Sequence, residues 1–311
     1  MRTLIIIAGP TGVGKTEISL RLAERVQGEI VSCDSMQVYK GMDIGSAKAD
    51  EEERRRVVHH LLDVVSPFDP FTVSDYKSLA EKAIDDILSR GRIPILVGGT
   101  GLYIDSIIKD LTFTEGGNDE NYRMELETLA KTMGKEHVHA LLREVDPEAA
   151  AKIHHNNLKR VVRALEVFKV TGKPFSSFKD SGQLNPKYDI HYFYLNKSRE
   201  SLYEGIDSRV EVMLGNGLVA EVVKLKSMGL DRSFVSMQGI GYKEILSHLD
   251  GETTLDEAIE LIKMRSRNYA KRQLTWFRNH PHAQELSKDA LSDEEILLFL
   301  EKHANGWITA E

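Results

Sequence analysis

Residues Gly9 to Thr16, GPTGVGKT, fit the pattern G-x-x-x-x-G-K-[ST], and no other stretch constrains the fold as strongly. Such a loop cradles a phosphate only when a strand delivers it and a helix leads away from it. Both are legible here. Residues 3–8 (TLIIIA) form a continuous apolar run of strand length, and residues 17–27 (EISLRLAERVQ) set Ile18, Leu22 and Val26 at helical spacing. Gly9, Gly12 and Gly14 let backbone N–H groups face phosphate oxygens, and the helix N-terminus adds partial positive charge. Lys15 supplies a point charge and Thr16 a hydroxyl for Mg²⁺, with Pro10, Thr11 and Val13 completing the loop. A chance match in a glycine-rich turn would not call for the flanking strand and helix.

Strand and helix keep alternating downstream. Residues 29–33 (EIVSC) are a short β-branched run. Residues 72–90 read as a helix, with Thr72 or Ser74 as N-cap and Gly91 as C-cap. Residues 93–97 form another buried strand ending in glycines. This order implies a parallel α/β sheet with right-handed crossovers, a P-loop NTPase-like core. From residue 119 to 172 the periodicity is only helical, over 121–131, 135–145 and 157–170. Residues 189–196 (DIHYFYLN) return to strand character. Residues 114–197 therefore read as a mostly helical insertion, and 1–113 with 198–311 as the core with a helical C-terminal part. The C-terminal helices are expected over 199–214, 218–228, 240–249, 255–278 and 293–303.

With 311 residues the chain can bury one large core plus a small second domain. Its first apolar run, residues 4–8, is too short for a membrane span or a signal segment. A single cysteine, Cys33, excludes an internal disulfide framework and any cysteine-rich zinc module. A cytoplasmic protein is expected. The net charge of −7 argues against a general nucleic-acid coat, so any nucleic-acid contact must be local.

An NTP hydrolase of this kind carries a second acid at a strand end to help hold Mg²⁺. The strand 93–97 ends instead in Gly98-Gly99-Thr100-Gly101. The acid follows the second strand, where Asp34 and Ser35 lie at the edge at which open α/β sheets bind ligands. Asp34 can equally serve as a turn former, and Asp63 in HHLLDVV is a rival acid. Thr100 offers a hydroxyl in a second glycine-rich turn, which could form the other wall of the same crevice. Two stretches are locally basic: Lys152, Lys159, Arg160, Arg163, Lys169 and Lys173, then Lys263, Arg265, Arg267, Lys271, Arg272 and Arg278. Tyr269, Trp276 and Phe277 interleave the second. That mixture suits phosphate-backbone contact with base stacking, or else a solvated helix face.

The motifs GPTGVGKT, SCDSMQVYKGMDIGSAK, HHLLD, GGTGLY, NNLKRVVRALE, IDSRVEVML, QGIGYKE and RNYAKRQLTWFR stand in the order found in bacterial-type tRNA dimethylallyltransferases. The resemblance runs from Gly9 to Arg278. Gly12-Val13 stands where many members have Ala-Ser, and Ser46 where Thr is common. Eukaryotic relatives can carry a C-terminal zinc finger, which the single cysteine excludes here. The resemblance implies transfer of a dimethylallyl group from dimethylallyl diphosphate to the exocyclic amine of an adenine. That adenine lies 3′ of the anticodon in tRNAs reading codons that begin with U.

In the mechanism so implied, Gly9 to Thr16 bind the diphosphate and Arg209 joins them from the opposite side. Asp34 accepts the amine proton, which a carboxylate with an ordinary pKa near ~4 can do once the new bond has made the amine acidic. Thr100 helps to position donor or amine. Ser35, Met36 and Gln37 line the passage of the flipped base, Gln37 offering donor and acceptor. Arg123, Lys159, Arg160, Arg163, Gly239, Ile240, Gly241, Tyr242, Lys243, Arg267, Lys271 and Arg272 are the remaining candidates for tRNA contact. Mg²⁺ is the expected cofactor, and a monomer the simplest state. A P-loop phosphotransferase, such as a nucleoside kinase, would leave the basic aromatic stretches unused. A prenyltransferase acting on free adenine nucleotides would lack both the insertion and the 263–278 helix. A non-catalytic RNA-binding module has no use for a complete phosphate loop.

Overall fold

The computed structural model describes residues 2–109, 119–177 and 183–306. Its centre is a parallel sheet of β1 (Thr3–Ala8), β2 (Gly28–Cys33), β3 (His59–His60), β4 (Ile93–Gly98), β5 (Asp189–Asn196) and β6 (Gln284–Ser287). The strands lie in the order β3-β2-β4-β1-β5-β6, every pairing parallel. The helices are α1 (Lys15–Val26), α2 (Glu51–Arg56), α3 (Val73–Ser89), α4 (Gly101–Ile108), α5 (Glu120–Met133), α6 (Lys135–Val145), α7 (Pro147–Lys152) and α8 (Leu158–Thr171). They continue with α9 (Arg199–Gly215), α10 (Leu218–Ser227), α11 (Tyr242–Leu249), α12 (Leu255–Arg278) and α13 (Asp293–Ala304). None of the described helices is long and apolar enough to cross a membrane.

Alternation along β1 explains the layers. Ile5 and Ile7 pack with Ile18 and Leu22 of α1 and Ile296 and Leu300 of α13. Leu4, Ile6 and Ala8 face the other way, onto Ala80 and Ile84 of α3 and Ile104 and Ile107 of α4. Both faces being covered, the strands read as unbroken apolar runs rather than as alternating ones. A third cluster joins α9 to α12 around Val38, Tyr39 and Met42. Helix α3 is capped by Thr72 in a capping box with Asp75, and Arg90 rather than Gly91 takes the C-cap.

Residues Lys109–Gln183 form a second compact unit. Leu126, Val138, Leu142, Val161 and Leu165 make its core. The insertion therefore closes earlier than residue 197, where periodicity ends it. Residues 189–196 pair with β1 from Thr3 to Ala8 and belong to the central sheet. An apolar alternating run shows that a strand exists, but not which strand it joins. The proposed start at residue 114 lies outside the described residues. Strand β6 is a further departure from the all-helical C-terminal reading; it is four residues long, mostly polar, and lies at the sheet edge.

The sheet sets the register of the site. Ala8 pairs with Gly98, and Cys33 pairs with Gly98 on its other side. Adjacent strands β1, β4 and β2 thus end level, and the residues after them emerge together. Gly98 permits this because a side chain there would strike the backbone of Cys33, with Cys33 Cα at 2.9 Å. Gly98→Ala should cost roughly 1–3 kcal/mol through overpacking between two strands, read as a lower urea midpoint with unchanged slope. An unchanged midpoint would mean that the strand ends can part freely.

Candidate functional site

The loop after β1 turns back on itself before α1. Gly14 caps α1 in the left-handed region at φ 89°, a conformation that a side chain would strain. Gly12, at φ 80°, also lies so close to α9 that a Cβ would come 3.1 Å from the Ile206 nitrogen. Pro10 and Val13 are buried, whereas Thr16 is exposed at the start of the helix. Lys15 donates from Nζ to the carbonyls of Gly9 and Pro10 at 2.9 and 2.8 Å, which folds its stem across the loop. Thr11 N–H donates to Oε1 of Gln273 at 3.0 Å, and Nε2 of the same side chain donates to the Gly99 carbonyl at 3.0 Å. One buried amide on α12 therefore fastens the phosphate loop to the turn after β4.

The turn after β2 is fastened to the same place. Thr100 N–H donates to the Cys33 carbonyl at 3.1 Å, and its hydroxyl accepts from Ser35 N–H at 3.2 Å. Asp34 accepts from Met36 N–H through Oδ1 at 2.9 Å, the bond of a turn former, and it also lines the cavity that these loops enclose. Asp63, the rival acid, is taken up by Lys48 and Arg54 at 2.7 and 3.0 Å. Cys33 is buried against the Tyr76 hydroxyl, and burial pushes its thiol up to about 12, which leaves it inert. Gln37 departs from expectation. Its Oε1 accepts from Ser32, and its Nε2 donates to the carbonyls of Ser46 and Ala47, so both ends are engaged within the protein.

These loops enclose a cavity of about 360 Å³. Lys15, Asp34 and Arg209 share it with an apolar wall that includes Met36, Ile206, Val210 and Ile240. Burial first, and then the charge of Arg209, push the Lys15 ammonium down to about 7 against the attraction of Asp34. Burial likewise holds Arg209 below the usual arginine range, with Asp34 opposing. Tyr269 is pushed up to about 12 by burial and by the charge of Asp34. Two desolvated cations facing one carboxylate leave room for an anion, and the apolar wall suits a short hydrocarbon tail.

Glu221 and Tyr242 shape this wall from behind. The Glu221 carboxylate accepts from the backbone N–H groups of Asp43, Ile44 and Gly45 at 2.9, 2.9 and 3.1 Å, and from the Tyr242 hydroxyl at 2.8 Å. The loop so held presents the Ser46 carbonyl to Arg209 at 3.5 Å. Gly239, Ile240 and Lys243 line the cavity, whereas Gly241 and Tyr242 are buried and act on its shape. Glu221 and Gln273 escape the motif reading, whereas Tyr269, read there as an aromatic of the basic stretch, lines the cavity. Gln273 left one trace, a polar residue between Ala270 and Phe277 on the buried face of α12.

Many of the basic candidates already have partners. Arg123 and Arg163 both pair with the buried Glu166, at 2.8 and 2.6 Å. Arg267 pairs with Asp207 and Lys263 with Glu211 across α9 and α12, and Arg265 pairs with Glu244. Lys159 and Arg160 are exposed and form no ion pair among the described residues, and the same holds for Lys271 and Arg272. Lys271 lies 6.0 Å from the Tyr203 ring and Arg272 lies 5.5 Å from that of Tyr269. Only Arg272 of this pair lines the cavity.

The Lys15 shift makes anion binding pH-dependent. A bound diphosphate favours the ammonium and raises its pKa above about 7, so binding takes up a proton. Affinity for inorganic diphosphate should be fully expressed below pH 7 and weaken as pH rises toward 8.5. Titration calorimetry of Lys15→Arg, which stays charged, should give a flatter profile; the ligand's own titration is common to both proteins. Parallel profiles would remove Lys15 from the anion site.

A family model described as IPP transferase matches residues 37–280. The chain is similar to the full-length tRNA isopentenylpyrophosphate transferase of Bacillus halodurans, with 44% identity, TM-score 0.73 and 98% of each chain covered. It is also similar to the tRNA delta(2)-isopentenylpyrophosphate transferase of Staphylococcus epidermidis, with 41% identity, TM-score 0.72 and coverage of 98% of this chain and 99% of that one. A eukaryotic dimethylallyltransferase acting on tRNA is 29% identical, with TM-score 0.82 and coverage of 98% and 79% respectively. A phosphate loop, a facing carboxylate and a family match across most of the sequence lead to one assignment: the chain belongs to the IPP transferase family.

Proposed function

We propose that the chain, as a cytoplasmic monomer, prenylates tRNA. It transfers a dimethylallyl group from dimethylallyl diphosphate to the exocyclic amine of the adenine 3′-adjacent to the anticodon, in tRNAs reading codons that begin with U. The observation that carries this reading is the meeting of Lys15, Arg209, Asp34 and an apolar wall in one cavity. A phosphoryl-transfer site would use the cations but has no need of the hydrocarbon wall.

Chemically, the allylic C–O bond breaks and its electron pair leaves on the diphosphate. The adenine amine lone pair forms the new C–N bond, and the amine proton passes to Asp34. Lys15, Arg209 and the loop N–H groups stabilise the charge that builds on the departing oxygen. Mg²⁺, when bound, neutralises diphosphate charge. Among the described residues no cluster of three His, Cys, Asp or Glu is poised for a metal. The exposed Thr16 hydroxyl at the start of α1 would hold the ion together with substrate oxygens, as the corresponding Ser or Thr does in phosphate loops. Thr100 fixes the Asp34–Ser35 turn and so positions the base. Reading of the adenine edge by Gln37 requires exchange of its bonds to Ser46 and Ala47. Lys159, Arg160, Lys271 and Arg272 are the cations left available for RNA phosphates, and Arg123, Arg163 and Arg267 would first have to share theirs.

The test offers dimethylallyl diphosphate or ATP with tRNA or AMP. Product from dimethylallyl diphosphate and tRNA alone is expected, and any other reacting pair would replace the reading. Asp34→Ala should keep tRNA affinity within a few-fold and lose turnover by about 10²–10⁴; full turnover would remove Asp34 from proton transfer. Plotted against log salt, log affinity for tRNA should slope less steeply, by about 1–2, in the Lys271→Ala/Arg272→Ala double variant. An unchanged slope would take α12 out of the RNA interface.

A further inference from the structure

Trp276 is a large aromatic that the fold leaves partly exposed. It lies on α12 one turn beyond Arg272, and Arg272 and Tyr269 on the same helix line the cavity. One side of the ring is pressed against Gly101. A Cβ added there would stand inside the indole, with Cε2 at 2.7 Å. Trp276 is nevertheless 42% exposed. Leu102, the next residue along α4, is 44% exposed and extends the apolar surface. Gly101 directly follows Thr100, whose hydroxyl holds the Asp34–Ser35 turn. The indole is therefore fixed by its contact with a glycine two residues beyond the cavity-lining Gly99, and one helical turn beyond the cavity-lining Arg272.

We propose that Trp276 is a stacking platform for the nucleobase next to the one that enters the cavity. The inference rests on the proposed reaction with a tRNA loop. Withdrawing one base from a stacked loop leaves a neighbour with an uncovered face. A flat aromatic held on one side and open on the other receives any base by its π-face. Arg272, one turn before Trp276 on the same helix face, is exposed and has no carboxylate partner among the described residues, so a phosphate beside that base finds complementary charge. The requirement for glycine at 101 follows from the same contact, since any side chain there would lift the ring out of place.

The chain has two tryptophans, Trp276 and Trp307, so the Trp307→Phe protein reports on Trp276 alone. It is titrated with an anticodon stem-loop RNA, following binding by anisotropy and stacking by indole emission. Saturation should quench the emission, and an abasic nucleotide at one of the two positions flanking the target adenine should restore it. Trp276→Ala should weaken RNA binding by roughly 5- to 150-fold, the loss of one stack, while Trp276→Phe stays within a few-fold of the parent. RNA that binds with unchanged emission, or quenching that neither abasic substitution relieves, overturns the platform and leaves the proposed reaction standing. Absence of any RNA binding overturns both.

Discussion

The level ending of β1, β4 and β2 is the constraint on which the rest depends. Ala8, Gly98 and Cys33 are joined in one register, so the phosphate loop, the Gly99–Thr100 turn and the Asp34 turn leave the sheet side by side. Backbone groups at such an edge have lost their ladder partners and must find others. Gln273 supplies two of them in one side chain, bonding Thr11 and Gly99 at once. Thr100 and Cys33 supply another pair. The geometry of the cavity is thus a consequence of sheet register fastened by one helix, and it needs no flexible closing segment to bring its groups together.

That helix divides its chemistry between two faces. Toward α9, Lys263 and Arg267 meet Glu211 and Asp207 in a ladder that joins the helices. Toward the cavity, Tyr269, Arg272 and Gln273 are placed by the core packing of Ala270 and Phe277. The basic count of residues 263–278 therefore overstates what is available to an anion. Pairs between partly exposed groups of this kind contribute little to stability, but they do consume charge. What remains at the solvent is a short run of cations beside exposed aromatic surface.

Elements with a strong period are legible in the sequence. Strand β1, helix α6 and helix α12 have the bounds that periodicity assigns, because each buries apolar residues at the spacing of its own element. Strands β3 and β6 escape because they are short and mostly polar, and edge strands need little burial. Strand β5 is legible as a strand but not as a neighbour of β1, since alternation carries no information about pairing. The phosphate loop and Asp34 are found from local spacing. Gln273 and Glu221 are not, because their partners lie 174 and 178 positions away and only the fold brings them into reach. Gln37 shows the opposite limit: its type suggests a reader of bases, and its existing bonds to Ser32, Ser46 and Ala47 are invisible until the loops close around it.

The electrostatics of the cavity favour a leaving group that grows more negative. Burial lowers both Lys15 and Arg209, so each stands less comfortably as a cation than it would in water, and Asp34 alone opposes this. In the proposed reaction a diphosphate would relieve that discomfort on binding, and further as the C–O bond lengthens and charge moves onto oxygen. Interactions that strengthen along the reaction accelerate it, whereas those already complete in the bound state do not. The bonds from Lys15 to the Gly9 and Pro10 carbonyls keep the ammonium over the loop, so little reorganisation is left for the reaction to supply. Asp34 is arranged in the complementary sense. Oδ1 is occupied by the Met36 N–H, and among the described residues no hydrogen bond engages Oδ2. One oxygen holds the carboxylate still and the other is left open, which is what proton acceptance in the proposed reaction requires.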